Sequence, residues 1–133
     1  MSDNDLFNLF RNLIKKGDLV AIRKLVESGA DINIRNDHGW TPLMAATVRG
    51  RVPIIEYLLS KGADVKPVNN ADASALAYAA LSGECRAIQI LLDAGAPLDV
   101  RPHGVSLLEF VDWGKGRFKT QRHFELLRAA GVK

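Results

Sequence analysis

The sequence predicts an all-α fold, a solenoid of stacked helix-turn-helix units with protruding hairpin-like turns. Three observations predict it: glycines recur every 33 residues, short apolar segments with helical spacing recur at the same interval, and helix-starting residues recur ahead of them. A period of about 20 to 50 residues is typical of repeat architectures. In such folds one unit cannot bury its apolar face alone, so stability comes from stacking neighbours.

Two series of glycines define the period and divide the chain into four units. The series contain seven of the eleven glycines: Gly17, Gly50, Gly83 and Gly116, then Gly29, Gly62 and Gly95. We therefore predict a single domain over residues 1–133. It comprises an N-terminal cap repeat (1–33), two full repeats (34–66 and 67–99) and an irregular C-terminal repeat (100–133).

The first unit is expected to hold two helices, about 5–16 and 18–28, without a preceding turn, as an N-terminal cap would. The last unit also departs from the pattern. Its turn, 100–105, is one residue shorter than its counterparts, and its final helix, about 118–129, is longer.

The second unit shows how one period folds. Thr41 can cap a helix with its hydroxyl, and Pro42 suits the first helical position because the missing N–H would have no partner there. This helix is expected to run to about Arg49, after which Gly50 supplies a positive-φ turn. Pro53 begins the antiparallel partner helix.

Two segments of this unit resemble the ankyrin-repeat family. Gly39-Trp40-Thr41-Pro42-Leu43-Met44-Ala45-Ala46 is similar to its repeat motif, with Met44 where the family usually has His, and Gly62-Ala63-Asp64-Val65 is similar to its end-of-repeat segment. The resemblance covers essentially the whole chain. It implies an L-shaped stack with turns projecting sideways and shorter inner helices forming a concave face. Asp72 replaces the turn glycine found at Gly39, so we expect that turn to be distorted.

The reactive side chains do not form a pattern typical of an enzyme. His38 and His103 lie in the turns of repeats that are not neighbours, about 20 Å apart if each layer adds about 10 Å, so they cannot share a metal ion. Cys85 has no second cysteine with zinc-ligand spacing. Gly114-Lys115-Gly116 lacks the preceding strand and the remaining glycines of a phosphate loop. We therefore predict no catalytic activity, no metal and no cofactor.

Composition constrains the location and the class of partner. The N-terminus lacks a secretory signal, no apolar stretch reaches the ~18 residues of a membrane helix, and a single cysteine suits a reducing compartment, so we predict a cytoplasmic protein that does not bind membranes. A net charge of +3 is small for a nucleic-acid-binding protein, and the aromatic residues that stack on bases are not interleaved with the cations. Nucleic acid is therefore the disfavoured partner.

The positions that the repeat pattern leaves free to contact a partner are mainly basic or apolar. The candidate partner-binding residues are Lys15, Lys16, Arg35, Asp37, His38, Trp40, Val48, Arg49, Asn70, Ala73, Leu81, Arg101, His103 and Trp113. Trp and Arg are enriched among residues that dominate interface energies. The alternative is that each tryptophan packs within its own repeat: for Trp40 both interpretations stay open, and for Trp113 packing is favoured.

These observations predict a non-catalytic protein-binding module that captures a partner on its concave face and turn tips. The chain begins with Met and shows no attached domain, so we expect it to act by occluding, stabilising or bridging what it holds. Of these we favour occlusion by a stoichiometric inhibitor or immunity-type protein. The basic face would meet an acidic patch on a partner enzyme or toxin. The alternatives are a generic adaptor or scaffold and, less favoured, a nucleic-acid-binding module.

Overall fold

The computed structural model describes residues 1–113 and 121–132, and this part of the chain forms eight α-helices and no strand. The helices are α1 (Asp3–Lys16), α2 (Leu19–Glu27), α3 (Pro42–Val48), α4 (Val52–Ser60), α5 (Ala75–Ser82), α6 (Cys85–Asp93), α7 (Leu107–Trp113) and α8 (Gln121–Ala129). A short 3-10 helix, Pro102–Gly104, precedes α7. The predicted all-α class is confirmed.

The helices form two layers. In the inner layer α1, α3, α5 and α7 pack side by side, and in the outer layer α6 packs between α4 and α8. Within units, α1 packs on α2, α3 on α4 and α5 on α6. The eight helices fall two to each of the four predicted units, whose boundaries lie in the turns and stay a prediction.

The predicted helix ends lie close to those observed. α1 begins two residues earlier than expected, and α2 begins one residue later because Asp18 caps it, its carboxylate accepting a hydrogen bond from the amide of Ala21 at 3.0 Å. The last helix was expected over about 118–129. α8 covers Gln121–Ala129, and residues 118–120 lie outside the described part of the chain.

Each of the inner helices α3, α5 and α7 starts with the same hydrogen bond. The hydroxyls of Thr41, Ser74 and Ser106 accept from the backbone N–H three residues later, at 3.3, 3.2 and 3.2 Å. These bonds satisfy amides that a helix start leaves without a partner. The cap predicted at Thr41 is thus confirmed, and it recurs in the two following repeats.

The core lies between and within the two layers. α1 buries Phe7, Phe10 and Ile14, whose spacing of three and four residues places them on one helix face. In α5 the alanines at 75, 77, 79 and 80 are buried almost completely. Because alanine side chains are small, α5 can pack closely against both α3 and α7.

Both ends of the inner layer carry a charge at a position that is buried in the middle. Met44 and Ala77 occupy equivalent positions in α3 and α5 and are 1% and 0% exposed. The corresponding residues of α1 and α7 are Arg11 and Glu109, and both are exposed. Polar outer faces are characteristic of the capping units of repeat arrays, and the capping roles of the first and last units stay a prediction.

The expectation that the turn at Asp72 is distorted was wrong. Asp72 adopts a left-handed φ of 58°, close to the 78° of Gly39, and its N–H donates to the carbonyl of Asn69 at 2.9 Å. The N–H of Gly39 makes the equivalent bond to Asn36 at the same distance. Aspartate tolerates this conformation better than most residues with a side chain, so the turn keeps its shape without glycine.

Candidate binding surface

Hydrogen bonds join the turn before α3 to its neighbours on both sides. Nδ2 of Asn4 donates to the Asp37 carboxylate at 2.6 Å, and the N–H of Asp37 donates back to Oδ1 of Asn4 at 2.9 Å. On the other side, the N–H of Asn70 donates to the carbonyl of His38 at 2.9 Å, and its side-chain amide donates to the carbonyl of Asp37 at 3.1 Å. Asp37 and Asn70, both proposed to bind a partner, thus also hold adjacent repeats together.

The same line of contacts continues to the third turn. The N–H of His103 donates to the carbonyl of Ala71 at 2.7 Å. The turn of residues 69–72 therefore lies between His38 and His103, as the repeat spacing predicted. Hydrogen bonds link α1 and all three turns, so the backbone at the turn tips is fixed before any partner arrives.

Two of the proposed arginines are exposed but bind within the turns. Nη2 of Arg35 donates to the carbonyl of Val68 in the next turn at 2.6 Å. Nη2 of Arg101 donates to the carbonyl of Gly104 in its own turn at 3.2 Å. Both guanidinium groups keep further N–H donors, so each can support a turn and present a positive charge.

Aromatic rings follow one another along the turn side of the inner helices. Trp40 stacks on Tyr78 with centroids 4.5 Å apart, Tyr78 meets Phe110 edge-on at 6.1 Å, and His103 stacks on Phe110 at 5.5 Å. Trp40 is only half-buried, whereas Tyr78 and Phe110 are buried. For Trp40, this stacking favours the packing interpretation over the free-contact one.

The hydroxyl of Tyr78 is part of the same arrangement. It accepts a hydrogen bond from Nδ2 of the buried Asn69 at 2.7 Å. Burial raises the pKa of Tyr78, because the phenolate would lose its hydration, and the bond from Asn69 opposes that rise. Asn69 in turn accepts through Oδ1 from the amides of Ala71 and Ala73, so one side chain connects the turn to the ring stack.

The remaining candidates lie at the opposite ends of the inner helices. Lys15 and Lys16 end α1 and are exposed, and Arg49 follows α3 and is also exposed. Val48 is 39% exposed and Leu81 is half-buried. The surface therefore has two parts, turn tips tied together by hydrogen bonds and helix ends that carry free side chains.

Ala73 and Trp113 differ from the other candidates. Ala73 was wrongly chosen as a contact residue, because it is 0% exposed. It precedes Ser74 as Trp40 precedes Thr41, and a small side chain at this inward-facing position fits entirely inside. Trp113 ends α7, and its side chain lies outside the described part of the structure.

The sequence reasoning missed Asn4 and Tyr78. A signal for Asn4 was present: Asn4, Asp37 and Asn70 are spaced by the repeat period and all carry short polar side chains able to bond a neighbouring turn. No comparable signal existed for Tyr78, because its equivalent in α3 is Ala45 and only the folded stack shows that Trp40 reaches it.

The other reactive groups of the described residues do not converge. Cys85 is a half-buried free thiol that lines a groove of about 420 Å³ between α6 and α8. Within residues 1–113 and 121–132, no three His, Cys, Asp or Glu side chains are grouped so that they could hold a metal ion. In the same residues, no helix has the length and apolar character needed to cross a membrane.

Comparison with known proteins agrees with this geometry. Residues 11–101, more than half of the chain, match the family of ankyrin repeats in three copies. The curated protein "2-5A-dependent ribonuclease" of Mus musculus is 49% identical to the chain over 43 residues. That similarity covers 32% of this chain and 6% of the mouse protein, so the chain spans only a small fraction of that relative's length.

Proposed function

Because the chain belongs to the ankyrin-repeat family, whose repeats are protein–protein interaction modules, we propose that it is a non-catalytic, stoichiometric inhibitor or immunity-type protein. In this proposal it captures one partner protein on the inner-helix layer and the adjoining turns. The observation that carries the proposal is the hydrogen-bonded line of turns from Asn4 to His103.

A surface that is ordered before contact loses little conformational entropy on association. Here the turn of Asp37 and His38 is held from one side by Asn4 and from the other by Asn70, and His103 is held by Ala71. The partner therefore meets a backbone that hydrogen bonds already hold in one arrangement. This supports tight capture, which stoichiometric inhibition requires.

Charge supports a partner with an acidic patch. Lys15, Lys16 and Arg49 are exposed at the ends of α1 and α3. Complementary charge speeds encounter and excludes partners of the wrong sign. A partner enzyme or toxin with a surface carboxylate cluster would satisfy this requirement.

The mouse relative's ribonuclease function is not part of the proposal, since the chain covers 6% of that protein. A cytoplasmic location is part of it. Cys85 is the only cysteine in the sequence and is a free thiol, which suits a reducing compartment.

The experiment has two stages. The tagged chain is first used to isolate its partner from cells of its source, with and without nuclease treatment, and the partner is identified. Purified partner is then titrated with the chain while its own activity is measured, and the mass of the complex is determined by light scattering. We expect a one-to-one complex that nuclease treatment does not affect. The partner's activity should fall linearly as the chain is added and level off at one molar equivalent of the chain.

Two outcomes contradict the proposal. If the partner is saturated in a stable complex and keeps its full activity, the chain is an adaptor and the inhibitor role is wrong. If the bound material disappears on nuclease treatment, the primary ligand is nucleic acid and the protein-binding surface is wrong.

A further inference from the structure

Three cations lie at the ends of α1 and α3, and the described part of the chain gives them no partner. The side chains of Lys15, Lys16 and Arg49 make no hydrogen bond or ion pair with any residue that the structure describes. By contrast, Arg35 and Arg101 are bonded within the turns. The helix-end cations are therefore free to reorient toward a partner, whereas the turn-tip arginines are held by backbone carbonyls.

The backbone beneath these cations is held in place. Nη2 of Arg51 donates to the carbonyl of Lys15 at 2.7 Å, which fixes the end of α1 against the turn between α3 and α4. Lys15 and Lys16 are the repeat equivalents of Val48 and Arg49. Since α1 packs beside α3, these pairs lie in adjacent units about 10 Å apart.

An apolar surface adjoins the cations. Val48 is one of only three large hydrophobic residues classed as exposed in the described chain, with Met1 and Val20. Leu81 is its equivalent in α5, which packs directly beside α3, and it is half-buried. We call Lys15, Lys16, Val48, Arg49 and Leu81 the helix-end patch.

A carboxylate also adjoins the patch. Glu84 caps α6, accepting from the N–H of Arg86 at 3.3 Å, and its side chain packs beside Gly50. Among the residues that the structure describes, the cations of α1 and α3 thus adjoin the apolar side chains of Val48 and Leu81. A surface that joins cations to apolar side chains fits an acidic protein segment better than a nucleic-acid backbone, which offers phosphates to cations.

We propose that the helix-end patch binds an acidic segment of the partner protein that also carries an aliphatic side chain. The carboxylates lie against Lys15, Lys16 and Arg49, and the aliphatic side chain packs on Val48 and Leu81. This inference rests on the proposed protein-binding function. It places the residues that contact the partner at the helix ends, while the hydrogen-bonded turns hold the repeats in position.

The test uses a defined probe, a synthetic peptide of repeating Glu-Glu-Leu units, titrated at low salt into the full chain labelled for NMR. We expect the largest shifts at the methyl groups of Val48 and Leu81 and at the amides of Lys15, Lys16 and Arg49. A Glu-Glu-Ser peptide should bind roughly fivefold more weakly, because it lacks the side chain that the apolar part would bury. A Lys-Lys-Leu peptide should not bind.

Variants sharpen the test. Val48→Ser should weaken binding of the Glu-Glu-Leu peptide by roughly fivefold, and Arg49→Glu by roughly tenfold at low salt, with the charge effect shrinking as salt is added. Val20→Ser and Lys24→Glu on α2 are matched controls, since Val20 is 64% exposed and Lys24 is an exposed cation away from the patch. Melting curves of all variants verify that they fold.

The proposal is overturned if the peptide fails to bind at low salt, if the largest shifts fall on the turn tips, or if Val48→Ser and Arg49→Glu behave like the α2 controls. These failures differ from failure of the proposed function. A chain with either patch substitution that still captures and inhibits its natural partner would retain that function and contradict only the assigned residues.

Discussion

Replacing Trp40 with alanine should destabilise the protein, because the indole ring is part of its internal packing. Trp40 lies in the turn before α3, and its ring stacks on Tyr78 of α5 with centroids 4.5 Å and planes 27° apart. The contact therefore joins two repeats. If Trp40 served a partner alone, its removal would leave the isolated protein unchanged.

The size of the effect follows from burial and from ring contact. Truncating a fully buried tryptophan costs about 3–5 kcal/mol, and because Trp40 is only half-buried we expect a loss of about 2 kcal/mol in the free energy of unfolding. Stacked aromatic pairs contribute about 0.5–1.5 kcal/mol beyond their buried area. That share should appear as coupling between Trp40 and Tyr78.

Urea unfolding followed by circular dichroism measures both quantities. Trp40→Ala, Tyr78→Leu and the double variant form a cycle whose coupling free energy should be about 1 kcal/mol. Val20→Ala is the control for loss of an exposed hydrophobic side chain, and it should stay within about 0.5 kcal/mol of the unaltered protein. If Trp40→Ala falls in that same range, the packing argument is refuted and Trp40 returns to the set of free contact residues.

Three further changes test the turns. Asn4→Ala removes both bonds to Asp37 and should lower stability by about 1 kcal/mol and speed amide exchange at Asp37; unchanged exchange would contradict the clamp. Gly39→Ala should destabilise the protein more than Gly104→Ala. Both glycines have a positive φ, but only at Gly39 would the added Cβ lie 3.0 Å from a neighbouring backbone atom, the Cα of Asn69. Equal urea midpoints for the two variants would contradict this. Burial raises the pKa of Tyr78, so the folded state keeps the phenol proton to higher pH than the unfolded state does. The free energy of unfolding should therefore fall as pH rises above the ordinary pKa of tyrosine, and it should fall less steeply in Tyr78→Phe. Urea midpoints that change in parallel for the two proteins would contradict this.

The repeat period predicted the fold because each structural position is repeated in the chain itself. Thr41, Ser74 and Ser106 all begin inner helices, so a cap inferred in one unit could be transferred to the others. The same transfer holds at Asp72, where the loss of glycine predicts a distorted turn that the structure does not show. The conformation is retained there because aspartate can adopt nearly the same φ.

The site was harder to predict because exposure depends on what neighbouring repeats supply. Trp40 and Ala73 occupy equivalent positions, yet Trp40 is half-buried against Tyr78 and Ala73 is fully buried. Likewise, the sequence identified Arg35 as a basic contact residue, but its bond to the carbonyl of Val68 exists only once two turns lie side by side. Spacing locates residues within a unit and says little about contacts between units.

The pattern of variation between repeats separates the two parts of the surface. At the contacts between α1 and the turns the chemistry is retained from unit to unit: Asn4, Asp37 and Asn70 are all short and polar, and each is hydrogen-bonded to a neighbouring unit. At the helix ends the chemistry changes, from Lys15 to Val48 to Leu81, although the helices pack in the same way. Since the helices pack alike with three different side chains at this position, packing does not fix its chemistry, and a partner is free to select the combination of charge and apolar surface.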